Sequence, residues 1–275
     1  MMRKGLKKIT AFALCLCLLF AAAGCVGDID EAASKNAKDE SLQKVLHAGK
    51  LVVGIDGNFL AMAFEDENGD YVGYDIDVAT EVCSRLGIDI EIKVIDWAQK
   101  EEYLDSGVID CIWSAMSITP ARAQAMNLSD PYLQNELIFL VPEECDAISI
   151  QDLKGKTIGV QKGTTGYDAL YESDIKDDVS VVLDNYKILL TKLQQGKIDA
   201  VLIDSTFAYF FIHRSEKKYY VLSESLGGDK YAIGFRKGDQ RLRDRIQEEM
   251  DKLRSEGELS RISEKWFGSD ITTVN

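Results

Sequence analysis

The pattern Leu104-x-x-Gly107-x-Ile109-Asp110 returns as Leu193-x-x-Gly196-x-Ile198-Asp199. In both copies a run with helical spacing ends on a glycine and gives way to an apolar, β-branched strand. The surrounding sequence alternates in the same way. Leu51-Val52-Val53-Gly54-Ile55 is a strand by length and β-branching. Over Asp75–Leu86, Ile76, Ala79, Val82, Cys83 and Leu86 keep helical spacing, closed by Gly87. A strand over Ile90–Ile95, a helix near Gln99–Asp105 and a buried strand over Asp110–Met116 follow. The second half predicts strands over Thr157–Val160, Val179–Leu183 and Ala200–Asp204, with helices over Thr165–Tyr171 and Asn185–Gln195. Such alternation implies an α/β fold with mostly parallel sheets flanked by helices. Seven residues also fit a generic helix-to-strand turn, but the placement of one copy in each half favours two lobes over one long sheet. Near the C-terminus, Leu242, Ile246, Met250 and Leu253 form one helical face; after Gly257, Leu259, Ile262 and Trp266 form a second, both read as core.

The first residues address the chain to export. Arg3, Lys4, Lys7 and Lys8 precede an apolar stretch, Ile9 to Ala23, that falls short of the ~20 residues a spanning helix needs. Small residues at Ala22 to Gly24 then lead into Cys25, so residues 1–24 are expected to be a signal peptide. Ala22-Ala23-Gly24-Cys25 resembles a bacterial lipobox with Ala in place of the usual Leu, which implies a lipid on Cys25. Residues 25–40, polar and without aromatics, are expected to be a flexible tether. Once Cys15, Cys17 and Cys25 are set aside, Cys83, Cys111 and Cys145 remain, an odd set with no CxxC pair. Neither a disulfide framework nor a metal site is indicated, and no cofactor is expected. Loss of residues 1–24 removes four basic and no acidic side chains, taking the net charge from −14 to −18. That balance argues against nucleic acid and against a basic membrane-binding patch.

Seven segments resemble, in order, the family 3 extracellular solute-binding proteins of polar amino-acid ABC importers. They include Val72-Gly73-Tyr74-Asp75-Ile76-Asp77, Ser114-Ala115-Met116-Ser117-Ile118-Thr119-Pro120-Ala121-Arg122 and Ser129-Asp130-Pro131-Tyr132. Asp152-Leu153-Lys154-Gly155-Lys156, Val160-Gln161-Lys162-Gly163-Thr164-Thr165, Gly196-Lys197-Ile198-Asp199-Ala200 and Lys265-Trp266-Phe267-Gly268 continue the set across residues 41–268. The resemblance implies a two-lobed, type II periplasmic-binding-protein-like fold. Lobe 1 would be built from 41–132 plus 231–268 and lobe 2 from 137–229, joined by hinge strands at 132–136 and 229–231.

It further implies how an amino acid is held. Sealing a carboxylate and an ammonium away from water requires opposite charge and hydrogen bonds for each. Arg122 would take the carboxylate through its planar fork, helped by backbone N–H groups of Ser117 and Thr165 at the helix opened by Thr164. Asp204 would face the ammonium, with the Ser117 hydroxyl and the Ala115 carbonyl as further acceptors and Met116 alongside. Read bare, Asp204 fits equally well as the cap of a helix starting at Ser205. Trp97 and Phe59 are placed to sandwich the ligand side chain, and Asp56 and Gln161 to read its polar end. An acidic Asp56 hints at a cationic or amide-bearing ligand. The loop from Gly57 to Glu65 departs from the family by lacking the customary prolines and being about two residues longer, so ligand identity does not carry over. The implied partners are an amino acid, ABC permease subunits and the membrane under the lipid, with the protein itself a monomer on the outer face of the cell membrane.

Two other classes stand beside transport. An exported dehydratase of related fold would need a general acid or base in the cleft, whereas His47 and His213 lie outside every motif and no nucleophile elbow appears, so no enzyme is expected. A ligand-binding lipoprotein serving a sensory receptor is the other alternative.

Overall fold

The computed structural model describes residues 39–272. The expected signal peptide, Cys25 and the tether up to residue 38 lie outside the described residues. The first half runs α1 (Ser41–Ala48), β1 (Lys50–Ile55), β2 (Asn58–Phe59), β3 (Ala63–Glu65), β4 (Tyr71–Val72), α2 (Tyr74–Leu86), β5 (Asp89–Val94), α3 (Lys100–Asp105), β6 (Cys111–Ile112), α4 (Pro120–Ala125) and β7 (Asn127–Leu128). A long strand, β8 (Leu133–Pro142), leads to β9 (Thr157–Val160), α5 (Thr165–Glu172), β10 (Ser180–Leu183), α6 (Tyr186–Gln194), β11 (Ala200–Asp204) and α7 (Ser205–Arg214). The chain returns along β12 (Tyr219–Tyr231) to β13 (Gly234–Phe235), α8 (Gln240–Ser255) and α9 (Glu258–Phe267).

Two five-stranded sheets result, ordered β5-β1-β6-β13-β7 and β10-β9-β11-β8-β12, with a small β2-β3-β4 sheet beside the first. Both large sheets are mixed rather than mostly parallel. In the first, β1 runs parallel to β5 and β6, while β13 is antiparallel to β6 and β7. In the second, β9 is parallel to β10 and β11, while β8 is antiparallel to β11 and β12. Helical crossovers produce the parallel pairs. The antiparallel pairs come from β8 and β12, by which the chain enters and leaves the second sheet, and from β13, on which it rejoins the first; no local periodicity reports them.

The internal echo is the same clip in each half. The backbone N–H of Asp110 donates to the Val52 carbonyl at 2.8 Å, and its carboxylate accepts the Val52 N–H at 2.9 Å. Asp199 makes the same pair of bonds to Thr157, at 2.8 and 2.7 Å. Ile109 then covers Gly54, where a Cβ would lie 2.5 Å from its Cδ1, and Ile198 covers Gly159, where the approach would be 2.8 Å. Each copy thus bonds a helix-to-strand turn onto a parallel neighbour and seats an isoleucine on a strand glycine.

Most predicted elements lie within two residues of the observed ones. The strand expected over 110–116 is the exception, since only Cys111–Ile112 pair as β6. Ala115 adopts φ +50 and turns the chain out of the sheet. Its N–H is held by the Asp75 carboxylate at 2.7 Å. Cys83 and Cys111 pack as small hydrophobes in the main core with Val53, Ile55, Val82 and Trp113. Trp266 is not simply core: its indole N–H donates to Asp77 at 2.7 Å, and its ring meets Phe64 and Phe210.

Candidate functional site

The lobes face each other across a cleft whose walls gather Asp56, Phe59, Trp97, Ala115, Ser117 and Arg122 from the first and Gln161, Thr164, Thr165, Tyr186 and Asp204 from the second. Of the residues singled out in the sequence, Met116 alone is absent. It is fully buried with Ile95, Leu104, Ile112 and Met126, and its carbonyl accepts the Ala232 N–H at 2.9 Å. The turn at Ala115 sends it into the core, so Met116 is a structural residue and not a cleft residue. A wider groove lies between α7 and residues 266–272, but no charged side chain lining it is buried. The cleft holds three buried charged residues, Asp56, Arg122 and Asp204, at 6, 8 and 4 % exposure. Buried charge in a concave site is the stronger sign of function.

Arg122 sits in the first turns of α4, where the Thr119 side chain accepts its N–H at 3.1 Å and Pro120 starts the helix. Its guanidinium donates to the Ser117 carbonyl at 2.7 Å and across the cleft to the Gly163 carbonyl at 3.0 Å. Burial lowers its pKa, opposed by Glu101, Asp229, Asp168 and Asp204. Lys100, which no motif marked, is a second buried cation. It donates to Gly163 at 3.2 Å and to the Trp97 carbonyl at 3.3 Å, and lies 5.1 Å from the Trp97 ring centre. Burial, then Arg122, lowers its pKa. One carbonyl of the second lobe therefore receives two cations from the first, and a Cβ on Gly163 would sit 3.0 Å from the Ala98 Cα. Trp97 begins a short 3₁₀ turn capped by Asp96, which accepts the Ala98 N–H at 3.0 Å.

Thr164 caps α5, accepting the Tyr167 N–H at 3.1 Å and donating to the Gln161 carbonyl at 2.7 Å. Thr165 reaches back to the first lobe, its hydroxyl 3.2 Å from that of Ser117. The Ser117 segment is itself pinned to the return strand, since Ile118 donates to the Lys230 carbonyl at 2.9 Å.

Asp204 ends β11 and does not cap α7. Its carboxylate accepts from Tyr186 at 3.1 Å, from Tyr231 at 3.0 Å and from the Asn135 amide. The Ser205 N–H goes instead to the Asn135 carbonyl oxygen at 3.1 Å. Burial first, and then the charge of Asp229, push the Asp204 carboxyl up to about 7, with the three donors offsetting part of the rise. The sequence places Asn135, Asp229 and Tyr231 only in the expected hinge strands, and it does not mark Tyr186.

At the other end, Asp56 accepts from the Asn58 N–H at 3.1 Å and from the Gln161 amide. The Gln161 oxygen accepts the Tyr186 N–H at 3.1 Å, which fixes the amide orientation. Burial raises the Asp56 pKa. Phe59, in the unusual loop, meets Phe207 and Tyr186 edge-on at 5.1 and 5.8 Å.

A family model for bacterial extracellular solute-binding proteins, family 3, matches residues 51–269. The chain belongs to this family. The L-cystine-binding protein TcyJ of Escherichia coli is 29 % identical over 245 residues, covering 86 % of this chain and 90 % of that one. The L-cystine-binding protein TcyA of Bacillus subtilis is 28 % identical, with coverages of 92 and 94 %. Among solved structures, Tv2483 bound to L-arginine superposes with a TM-score of 0.81 at 33 % identity, covering 85 % of this chain and 97 % of that one. A substrate-binding protein of an ABC uptake transporter from Streptococcus pneumoniae, with bound histidine, gives 0.82 at 31 %, with coverages of 86 and 100 %. The fold of this family 3 protein is thus the two-lobed, type II arrangement, and the relatives named here are binding proteins.

Proposed function

We propose that the chain captures a free amino acid outside the cytoplasm, between closing lobes, and delivers it to an ABC importer. The observation that carries this reading is a buried guanidinium, Arg122, and a buried carboxylate, Asp204, on the walls of one cleft, the two groups a zwitterion needs. Arg122 takes the carboxylate. Asp204 has three donors already and about four acceptor positions in all, so one remains for the ammonium. Phe59, Trp97 and Tyr186 surround the side chain, and Asp56 with Gln161 meets its polar end. Asp56 supports a polar ligand with a cationic or amide-bearing end. Residues 132–136 and 229–231 act as the hinge between 41–132 plus 231–268 and 137–229. This is supported by the ladder that pairs Leu133–Glu136 with Gly228–Tyr231. Ligand contacts on both walls favour the closed form, since only there are all bonds made.

Screening the purified protein by thermal shift against the standard amino acids and cystine tests the reading. At ~100-fold above Kd a true ligand stabilises the fold by roughly 2.7 kcal/mol. That ligand should be recovered unchanged after incubation, as binding without turnover requires. Silence across the panel, or conversion of the ligand, defeats the proposal. The anchor is a separate part, supported by the signal-like start and Cys25. Cys25→Ser should release the protein from the membrane fraction of the cell that makes it. Retention of that variant in the membrane at the wild-type level rules the lipid anchor out.

A further inference from the structure

We propose that Asp229, on the return strand, is a positioning residue of the ammonium site, orienting Asp204 through Asn135 and the closure contact through Thr165, and adding a second negative charge that makes the site select a cationic group. This rests on the reading of Asp204 as the ammonium partner.

The argument is one of hydrogens. The Asn135 amide nitrogen has two, and it donates to the Asp204 carboxylate and to the Asp229 carboxylate, the latter at 2.9 Å. Its oxygen accepts from the Ser205 N–H and hydroxyl at 3.1 and 3.3 Å. A flipped amide would set its oxygen against two carboxylates, so the orientation is determined. The other Asp229 oxygen accepts from the Thr165 hydroxyl at 3.0 Å. That hydroxyl has a single hydrogen. The 3.2 Å contact between Thr165 and Ser117 is therefore donated by Ser117, whose oxygen keeps lone pairs for an ammonium. A polar chain runs from the first lobe at Ser117 through Thr165, Asp229 and Asn135 to Asp204. Asp229 and Asn135 stand directly opposite in the ladder of β12 and β8, on the strands that join the lobes.

Charge adds to position. The groups around Asp204 are Tyr186 of α6, Tyr231 and Asp229 of β12, and Arg122 across the cleft, while β8 and α7 present the neutral Asn135, Ser205 and Thr206. Both tyrosines are held well above their ordinary pKa by burial and remain donors. Asp229 is the only like charge in that shell among the described residues, and it is the second cause, after burial, of the raised Asp204 carboxyl. A bound ammonium relieves that repulsion, whereas a neutral group leaves it in place.

Asp229→Asn removes the charge and keeps the shape. Two measurements test it: the Asp204 carboxyl titration by carbon NMR, which needs no ligand, with Asp204→Asn to assign the signal; and calorimetry with L-arginine, L-histidine and L-cystine between pH 5 and 9. In Asp229→Asn the Asp204 titration should move to lower pH. Affinity for whichever probe binds should fall about tenfold at pH 8–9, with a smaller loss near pH 5, because Asp204 now stays ionised further down. An unmoved titration, or a loss equal at every pH, leaves Asp229 a merely structural residue and overturns the inference. Wild-type affinity in Asp204→Asn overturns the ammonium reading itself, a result distinct from failure of the Asp229 variant alone.

Discussion

Arg122→Ala is expected to abolish measurable amino-acid binding while leaving the unfolding temperature within a few degrees of wild type. A zwitterion closed into this cleft must give up the hydration of its carboxylate, and Arg122 is the buried cation lining the same space. Removing one partner of a desolvated charge pair costs about 2–5 kcal/mol, mostly from stranding the other charge, which corresponds to some 30- to 5,000-fold in affinity. The fold does not depend on the guanidinium to the same degree. Its hydrogen bonds go to two backbone carbonyls, and Gly163 retains Lys100 as a donor. Deletion also removes the cost of burying a cation that has no carboxylate in contact with it. Arg122→Lys should recover only part of the affinity, because an ammonium lacks the two parallel donors of the fork. Calorimetry with the ligand found by thermal shift decides the matter; tight binding by Arg122→Ala sinks the assignment.

How far the sequence led differs between the fold and the site. The echo around Gly107 and Gly196 was legible because its cause is local: a helix end, a carboxylate that accepts the neighbouring strand's N–H, and an isoleucine over a glycine. The strand directions were not, since β8, β12 and β13 acquire theirs from pairings far away in the chain. The site divides in the same way. Arg122, Thr164 and Gln161 lie in segments whose resemblance to the family implies a place at the cleft, and all three line it. Met116 lies in the same family-like segment as Arg122, but it follows the positive φ of Ala115 and its side chain packs in the core. Asp204 was ambiguous between cap and ligand contact because both readings ask for an acid at a helix start. Asn135, distant in sequence, takes the Ser205 N–H and so removes the cap reading. Lys100 and Asp229 look like ordinary solvated charges until the lobes and the crossing strands bring Gly163 and Asn135 to them.

The ligand-free protein is expected to lose stability as pH rises from about 4 to about 7, the reverse of the usual behaviour of carboxylate-rich proteins. Asp75 is fully buried and Asp204 nearly so on the cleft wall, and burial pushes each carboxyl up to about 7 from an ordinary 3.8. Between those values the folded chain binds protons that the unfolded chain has released, so the stabilisation present below pH 3.8 is lost as pH climbs through 7. Three pH units are worth about 4 kcal/mol per group as an upper bound. Carboxylates held below their ordinary pKa, such as Asp39, Asp152 and Glu249, act in the opposite sense. Their contribution disappears below about pH 4, outside this window. Asp75→Asn and Asp204→Asn should each flatten the slope, and the two effects should add if the sites are independent. Ligand separates them, because an ammonium against Asp204 stabilises the ionised form and does nothing for Asp75, whose bonded oxygen holds the Ala115 N–H on the far side of the turn. With ligand bound, only the Asp75 part of the slope should survive, and affinity should tighten from pH 5 to pH 8 by the amount of slope that vanished. Urea midpoints across pH 4.5–8, with and without ligand, measure both quantities. A flat wild-type profile superimposable on both variants would mean that neither carboxyl is protonated in the folded protein at neutral pH.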